Sequence, residues 1–171
     1  MSVKNTLEFF KIAKPNPTAK DIMAQFGADT EEVTELFEAF GFSPETSIVC
    51  DLNNVTQWAY KASPEEASDI NRLEALDAVC DKIVTAVGLG YMLGMNVEGA
   101  FKEVAASNLS KFIKVSGELT LDQMVQFEDE CKQIESQGRY SGVTWSRKGD
   151  YVVFTDGNGK IVKPSTYYSV S

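Results

Sequence analysis

Two stripes of carboxylates carry the chemistry that this sequence can do. Glu31, Glu32 and Glu35 have the spacing EExxE, and Glu74, Asp77 and Asp81 follow as ExxDxxxD. A helix advances 100° per residue. Glu31, Glu32, Glu35 and Glu38 therefore share a third of one circumference, opposite Val33, Leu36, Phe37 and Phe40. Taken alone, that segment reads as a surface helix with a solvated acidic face. The second stripe is different. Glu74, Asp77 and Asp81 lie along one side of a segment rich in Leu73, Leu76, Val79, Ile83 and Val84. A helix apolar on nearly all sides reads as a core helix. Burying an ionised carboxylate costs several kcal/mol after relaxation, so this stripe needs a compensating cation. Lys82 points elsewhere on the same helix. Two answers stay open: a buried salt-bridge network with another element, or a divalent metal.

Composition narrows the metal. The chain has no His, which removes Ser-His and Cys-His nucleophile pairs, His bases and His ligands. Cys50, Cys80 and Cys131 form no CxxC spacing and read as reduced, buried thiols. Oxygen donors alone suit Mg²⁺ or Mn²⁺. Glu32 and Glu35 repeat the i, i+3 spacing of Glu74 and Asp77. Two such helices packed face to face make a four-carboxylate cage in a bundle core. That cage would hold two or more ions and take a guest with its own negative oxygens, such as a polyphosphate. Lys and Arg number 16 against 25 Asp and Glu, a net charge of -9. Such a chain has no broad footprint for nucleic acid or anionic lipid. No apolar stretch suits a membrane span, and Met1 to Lys14 does not read as a signal peptide. The expected location is the cytoplasm.

The elements that must position these groups are mostly helical. The length, 171 residues, fits one domain. It reads as a helical bundle over 1–137 with a small antiparallel β-meander over 138–171. Asn5 to Ala13 is a short helix. Thr18 caps Ala19 to Phe26, which Gly27 closes. Asp29 and Glu32 form a capping box for the next helix, to about Phe40. Ser43-Pro44-Glu45 and Ser63-Pro64-Glu65-Glu66 are further helix starts. Ile70 to Leu93 reads as one long helix, Val97 to Phe112 as another and Leu121 to Ile134 as a third. Val143 to Trp145, Tyr151 to Phe154 and Lys160 to Val162 are β-type runs separated by Gly-containing turns. The helix from Ile70 is too apolar for one protomer to cover, which predicts a homodimer or a dimer of dimers.

With these blocks in order, the chain resembles the MazG-like all-α nucleoside triphosphate pyrophosphohydrolases, relatives of dimeric dUTPases and phosphoribosyl-ATP pyrophosphohydrolase. Glu31-Glu32-Val33-Thr34-Glu35 and Glu74-Ala75-Leu76-Asp77 match the family's EExxE…ExxD signature, and Asp81 extends it. Glu103-Val104 with Ser107-Asn108-Leu109-Ser110-Lys111-Phe112 looks like its EVxxSNxSK helix end. Asp156-Gly157, Gly159-Lys160-Ile161-Val162-Lys163-Pro164 and Tyr167 resemble a DGKVLKGPNY tail. Segments 36–73 and 119–151 are longer than the family's usual connections.

The resemblance implies an all-α NTP pyrophosphohydrolase bundle that cleaves between the α- and β-phosphates. The products would be a nucleoside monophosphate and pyrophosphate. Glu32, Glu35, Glu74 and Asp77 would hold Mg²⁺ or Mn²⁺, polarising the α-phosphate and acidifying a bound water. Glu31 would orient or deprotonate that water. Asp81 would join the metal shell or hold a ligand's water. Asn108 and Lys111 would contact sugar and phosphate, with Lys160 and Lys163 as phosphate neutralisers. The resemblance leans toward (d)GTP and toward nucleotide-pool control in a phage. Asn53, Asn54, Gln57, Trp58 and Tyr60 read either as a base-reading set or as an ordinary helix with Trp58 in a subunit interface. Two alternatives stand beside this reading: a non-enzymatic acidic helical binding module, and a phosphoribosyl-ATP pyrophosphohydrolase.

Overall fold

The computed structural model describes residues 3–63, 66 and 70–169. In chain order the elements are α1 (Lys4–Ala13), α2 (Ala19–Ala39), α3 (Ser47–Lys61), α4 (Arg72–Met92), α5 (Val97–Leu109), β1 (Phe112–Lys114), α6 (Leu121–Ser136), β2 (Thr144–Lys148) and β3 (Tyr151–Thr155). The protein is mainly helical with a small antiparallel sheet toward its C-terminus, as the sequence predicts. Among the described residues no helix is long and apolar enough to cross a membrane. The chain divides into two compact units, one of residues 16–85 and one of residues 1–15 with 86–171.

In the unit of residues 16–85, α2 and α3 pack closely along their lengths. Thr18 caps α2 through a capping box with Asp21, and the helix then runs without a break past Gly27. The sequence expects Gly27 to end a helix and Asp29 to start another. The structure corrects both expectations. Gly27 is buried beneath the Tyr60 ring, and a Cβ there would lie 3.1 Å from Tyr60 Cε1. The glycine therefore serves close helix approach and not a C-cap. The buried stripe of α2 is Met23, Gly27, Thr30 and Thr34. Opposite it α3 buries Val49, Thr56 and Ala59. Thr30 and Thr34 donate to the carbonyls of Phe26 and Thr30 at 3.0 and 3.1 Å, so small hydroxyl residues fit a tight interface with their polarity satisfied. The apolar side expected to face a core is left open instead, with Leu36 and Phe40 exposed.

Helix α4 begins where Asn71 Oδ1 accepts from the Glu74 N–H at 3.3 Å. No residue of α4 is buried. Leu73, Leu76 and Val84 are 77%, 61% and 68% exposed. The reading of this segment as a core helix is thus corrected for the single chain. The expected helix start at Ser63-Pro64-Glu65-Glu66 lies partly outside the described residues.

The other unit is built on its sheet. The strand order is β1-β3-β2, with every pairing antiparallel. Successive side chains of a strand point to opposite faces. Val152 and Phe154 join Val115, Phe127, Cys131, Ile134, Val143 and Val162 in one cluster, which includes the inner face of α6. Val153 joins Ile12, Ala13 and Phe112 in a second cluster, which includes α1. A central strand buried on both faces explains the unbroken apolar run Val152-Val153-Phe154. The strands are therefore the centre of a packed unit and not an appendage to a bundle.

The third strand of the sheet differs from expectation. Ile161 makes only an isolated bridge to Thr155, and Pro164 soon follows without an N–H to donate. Phe112–Lys114 takes the edge beside β3 instead, so the segment from Val97 leaves its helix at Leu109 and not at Phe112. Phe112 is held there by stacking on Phe9, with ring centroids 5.0 Å apart. Cys131 is buried as expected, whereas Cys50 and Cys80 are exposed.

Candidate functional site

The acidic face of α2 exists because its other side is committed to α3. With Thr30 and Thr34 buried, the helical period turns Glu31, Glu32, Glu35 and Glu38 outward. Glu31 is tied: Tyr60 of α3 donates its hydroxyl to Glu31 Oε2 at 3.0 Å. Burial, this bond and the Glu31 charge keep the Tyr60 phenol above the usual tyrosine range. Partial burial, then Glu35, Glu31 and Asp29, raise the Glu32 carboxyl above the usual carboxylate range. Asp29 forms an ion pair with Lys82 of α4. That partner was not legible from spacing on α4, because the pairing runs between helices.

On α4 the side chains of Glu74, Asp77 and Asp81 are exposed. Among the described residues no three Asp, Glu or Cys side chains converge closely enough to hold a metal ion. The structure thus leaves Glu31, Glu32 and Glu35 exposed on α2 without drawing them into one cluster, and it does not gather the α2 and α4 carboxylates within one chain. The donor set itself, carboxylate oxygens one helical turn apart, is of the kind that Mg²⁺ and Mn²⁺ take.

The other predicted residues meet in the unit that holds the sheet. Asn108, at the end of α5, accepts from Lys111 Nζ at 2.8 Å. Lys111 is half-buried, with its Nζ 5.4 Å from the Phe9 ring centroid. Burial lowers its ammonium below the usual lysine range, and the charges of Lys163 and Lys160 push the same way, while Tyr167 opposes them. Lys163 Nζ lies over the Tyr167 ring, 4.3 Å from its centroid. Ser107 Oγ donates to the Tyr168 carbonyl at 2.7 Å and sits 3.1 Å from the Tyr167 hydroxyl oxygen. The Ser107 hydroxyl, then Lys163 and Lys111, hold the Tyr167 phenol below its usual range. Asn108, Lys111, Lys160 and Lys163 therefore form one basic neighbourhood, with Ser107 and Tyr167 added. Repelling ammonium groups around a half-buried one form a place for an anion, which would relieve the strain on Lys111.

Sequence reasoning assigned no site role to Ser107 or Tyr167, and it offered Tyr60 only as part of a base-reading set, not as a partner of Glu31. Tyr167 carried a signal, the end of the GK-containing tail. Tyr60 carried none that spacing can show, because its partner is 29 residues away. Comparison of the chain with protein-family models, with curated proteins and with solved structures gives no match.

Proposed function

We propose that this protein is a metal-dependent nucleoside triphosphate pyrophosphohydrolase, with (d)GTP the first substrate to try. The observation that carries the reading is the lysine neighbourhood. Residues from the end of α5 and from the C-terminal tail meet around a half-buried ammonium whose charge is already costly. A polyanion is the ligand that such a group accepts. Lys111, Lys160 and Lys163 would steady the β- and γ-phosphates, and Asn108 would orient Lys111. Glu32, Glu35, Glu74 and Asp77 would hold Mg²⁺ or Mn²⁺, with Asp81 in or beside that shell. The bound ion would neutralise phosphate charge and favour hydroxide over water. Glu31 would orient the water and take its proton as the water oxygen bonds to the α-phosphorus. The bond to the bridging oxygen then breaks, and its electron pair leaves with pyrophosphate. A γ-attacking enzyme would instead want a GxxxxGK(S/T) cradle, which this sequence lacks.

The open apolar side of α4 supports self-association in the same reading. A homodimer or a dimer of dimers would cover Leu73, Leu76 and Val84, and a second copy would offer further carboxylates to the acidic face of α2.

The test is direct. Metal is dialysed out, each dNTP and NTP is supplied with Mn²⁺ or Mg²⁺ in ¹⁸O-labelled water, and the products are identified. The expected label is in the nucleoside monophosphate, with unlabelled pyrophosphate beside it. Glu35→Gln and Asp77→Asn should abolish turnover while leaving the fold intact. Orthophosphate with a nucleoside diphosphate, or no product from any nucleotide, would overturn the proposal.

A further inference from the structure

We propose that Tyr60 is a positioning residue that sets Glu31 apart from the other acids of α2 as the group that orients the attacking water. The assignment rests on the pyrophosphohydrolase reading above. It starts from how α3 crosses α2. The Tyr60 ring lies on Gly27, where a Cβ would stand 3.1 to 3.3 Å from three of its carbons. Gly27 is not among the glycines of positive φ. The position therefore uses the missing side chain and not the backbone freedom of glycine.

Gly27 and Glu31 are one turn apart on the same face of α2. A ring seated on Gly27 delivers its para hydroxyl to Glu31, and the bond to Oε2 is 3.0 Å. By the 100° step of the helix, Glu31 borders the side that carries Gly27, Thr30 and Thr34, while Glu32 lies furthest from that side. Tyr60 thus draws one acid of the EExxE group toward α3 and leaves Glu32 and Glu35 on the open face. A phenol is a neutral donor, so it orients the carboxylate without cancelling its charge. It occupies one oxygen and leaves Oε1 to accept from water. Burial, then the hydrogen bond and charge of Glu31, raise the phenol above the usual tyrosine range, which favours the protonated, donating form.

Tyr60→Phe keeps the ring on Gly27 and deletes only the donor. Displacing a catalytic group by a fraction of an ångström to an ångström costs one to two orders of magnitude in rate. The expected result is a fall in kcat of about 10- to 100-fold, with nucleotide KM, calorimetric Mn²⁺ affinity and Tm near wild type. Gly27→Ala is the second variant. It pushes the ring outward with the hydroxyl retained, so a smaller loss in kcat is expected. Added to Tyr60→Phe it should cost nothing further, because the bond it disturbs is already gone. A Tyr60→Phe protein with wild-type kcat would overturn the assignment. So would a loss carried by KM or by Mn²⁺ affinity, or full additivity of the two variants. If the wild-type chain turns over no nucleotide, the pyrophosphohydrolase reading falls and the assignment with it. If the wild type turns over and Tyr60→Phe matches it, the assignment falls alone.

Discussion

Cys131 sits in one cluster with Phe127, Ile134 and Phe154, while Cys50 and Cys80 face solvent. Burial, with Glu128, Glu135 and Glu130 near it, pushes the Cys131 thiol up to about 11. The thiolate is the form that alkylates. Iodoacetamide at mildly alkaline pH is expected to label Cys50 and Cys80 and to spare Cys131 until the chain is unfolded. Mass spectra showing all three thiols modified at equal rates in the native protein would contradict this. Glu32 makes a pH-dependent case. Its raised carboxyl means that the folded chain holds a proton where the unfolded chain has lost one, from the ordinary 4.5 upward to the raised value. Stability therefore falls as pH rises through that window and stays lower above it. Glu32→Gln should be more stable than wild type at neutral pH and equal to it below the ordinary carboxylate range. The side chain is largely open to water, so the gain is no more than about 0.5 kcal/mol. Urea midpoints at both pH values measure it.

At the scale of elements, burial is uneven. Phe154 on β3 is fully buried between α6 and the neighbouring strands. Phe154→Ala is expected to cost about 3–5 kcal/mol, read from chemical denaturation. α6 depends on its start as well. Thr120 accepts from the Gln123 N–H at 3.2 Å, and Gln123 Oε1 accepts from the Thr120 N–H at 3.0 Å. Thr120→Ala should cost about 1 kcal/mol. This capping box, like that of Thr18 with Asp21, is local in sequence. The choice of buried face on α2 is not local. Val33, Leu36, Phe37 and Phe40 have the more apolar pattern, yet Gly27, Thr30 and Thr34 are the residues that let α3 come close. Hydrophobicity ranks faces by transfer energy, and close packing ranks them by fit.

For the whole molecule, the exposed apolar length of α4 is the feature with consequences. Leu73, Leu76, Val79, Ile83 and Val84 are all exposed in the single chain. Apolar surface of that extent is the kind that a partner covers, which motivates a test of assembly. Light scattering at micromolar concentration is expected to show a dimer or a dimer of dimers. Leu76→Glu should shift the protein to monomer, because it places a charge in the covered surface. A wild-type monomer at that concentration would refute the prediction. Turnover should track assembly if a second copy completes the acidic face, so Leu76→Glu is also expected to lose activity with its helical content unchanged.

Much of this protein is legible from local chemistry. Caps, turn residues and apolar periodicity locate α1, α6, β2, β3 and the long α4 to within a few residues, because each depends on neighbours in the chain. The acidic stripes of α2 and α4 follow from the helical period alone, and the pair Asn108 and Lys111 from a short block. Tertiary structure decided the rest. It ran α2 through Gly27, where the Tyr60 ring takes the space that a Cβ would fill. It gave the sheet edge to Phe112–Lys114, held by Phe9, and left Lys160 to Val162 with a single bridge. It joined Lys163 and Tyr167 to Ser107 and Lys111, and Glu31 to Tyr60. Each of these depends on contacts between residues far apart in the chain, whose free energy comes from shape and from lost solvation. No spacing rule along the sequence carries that information.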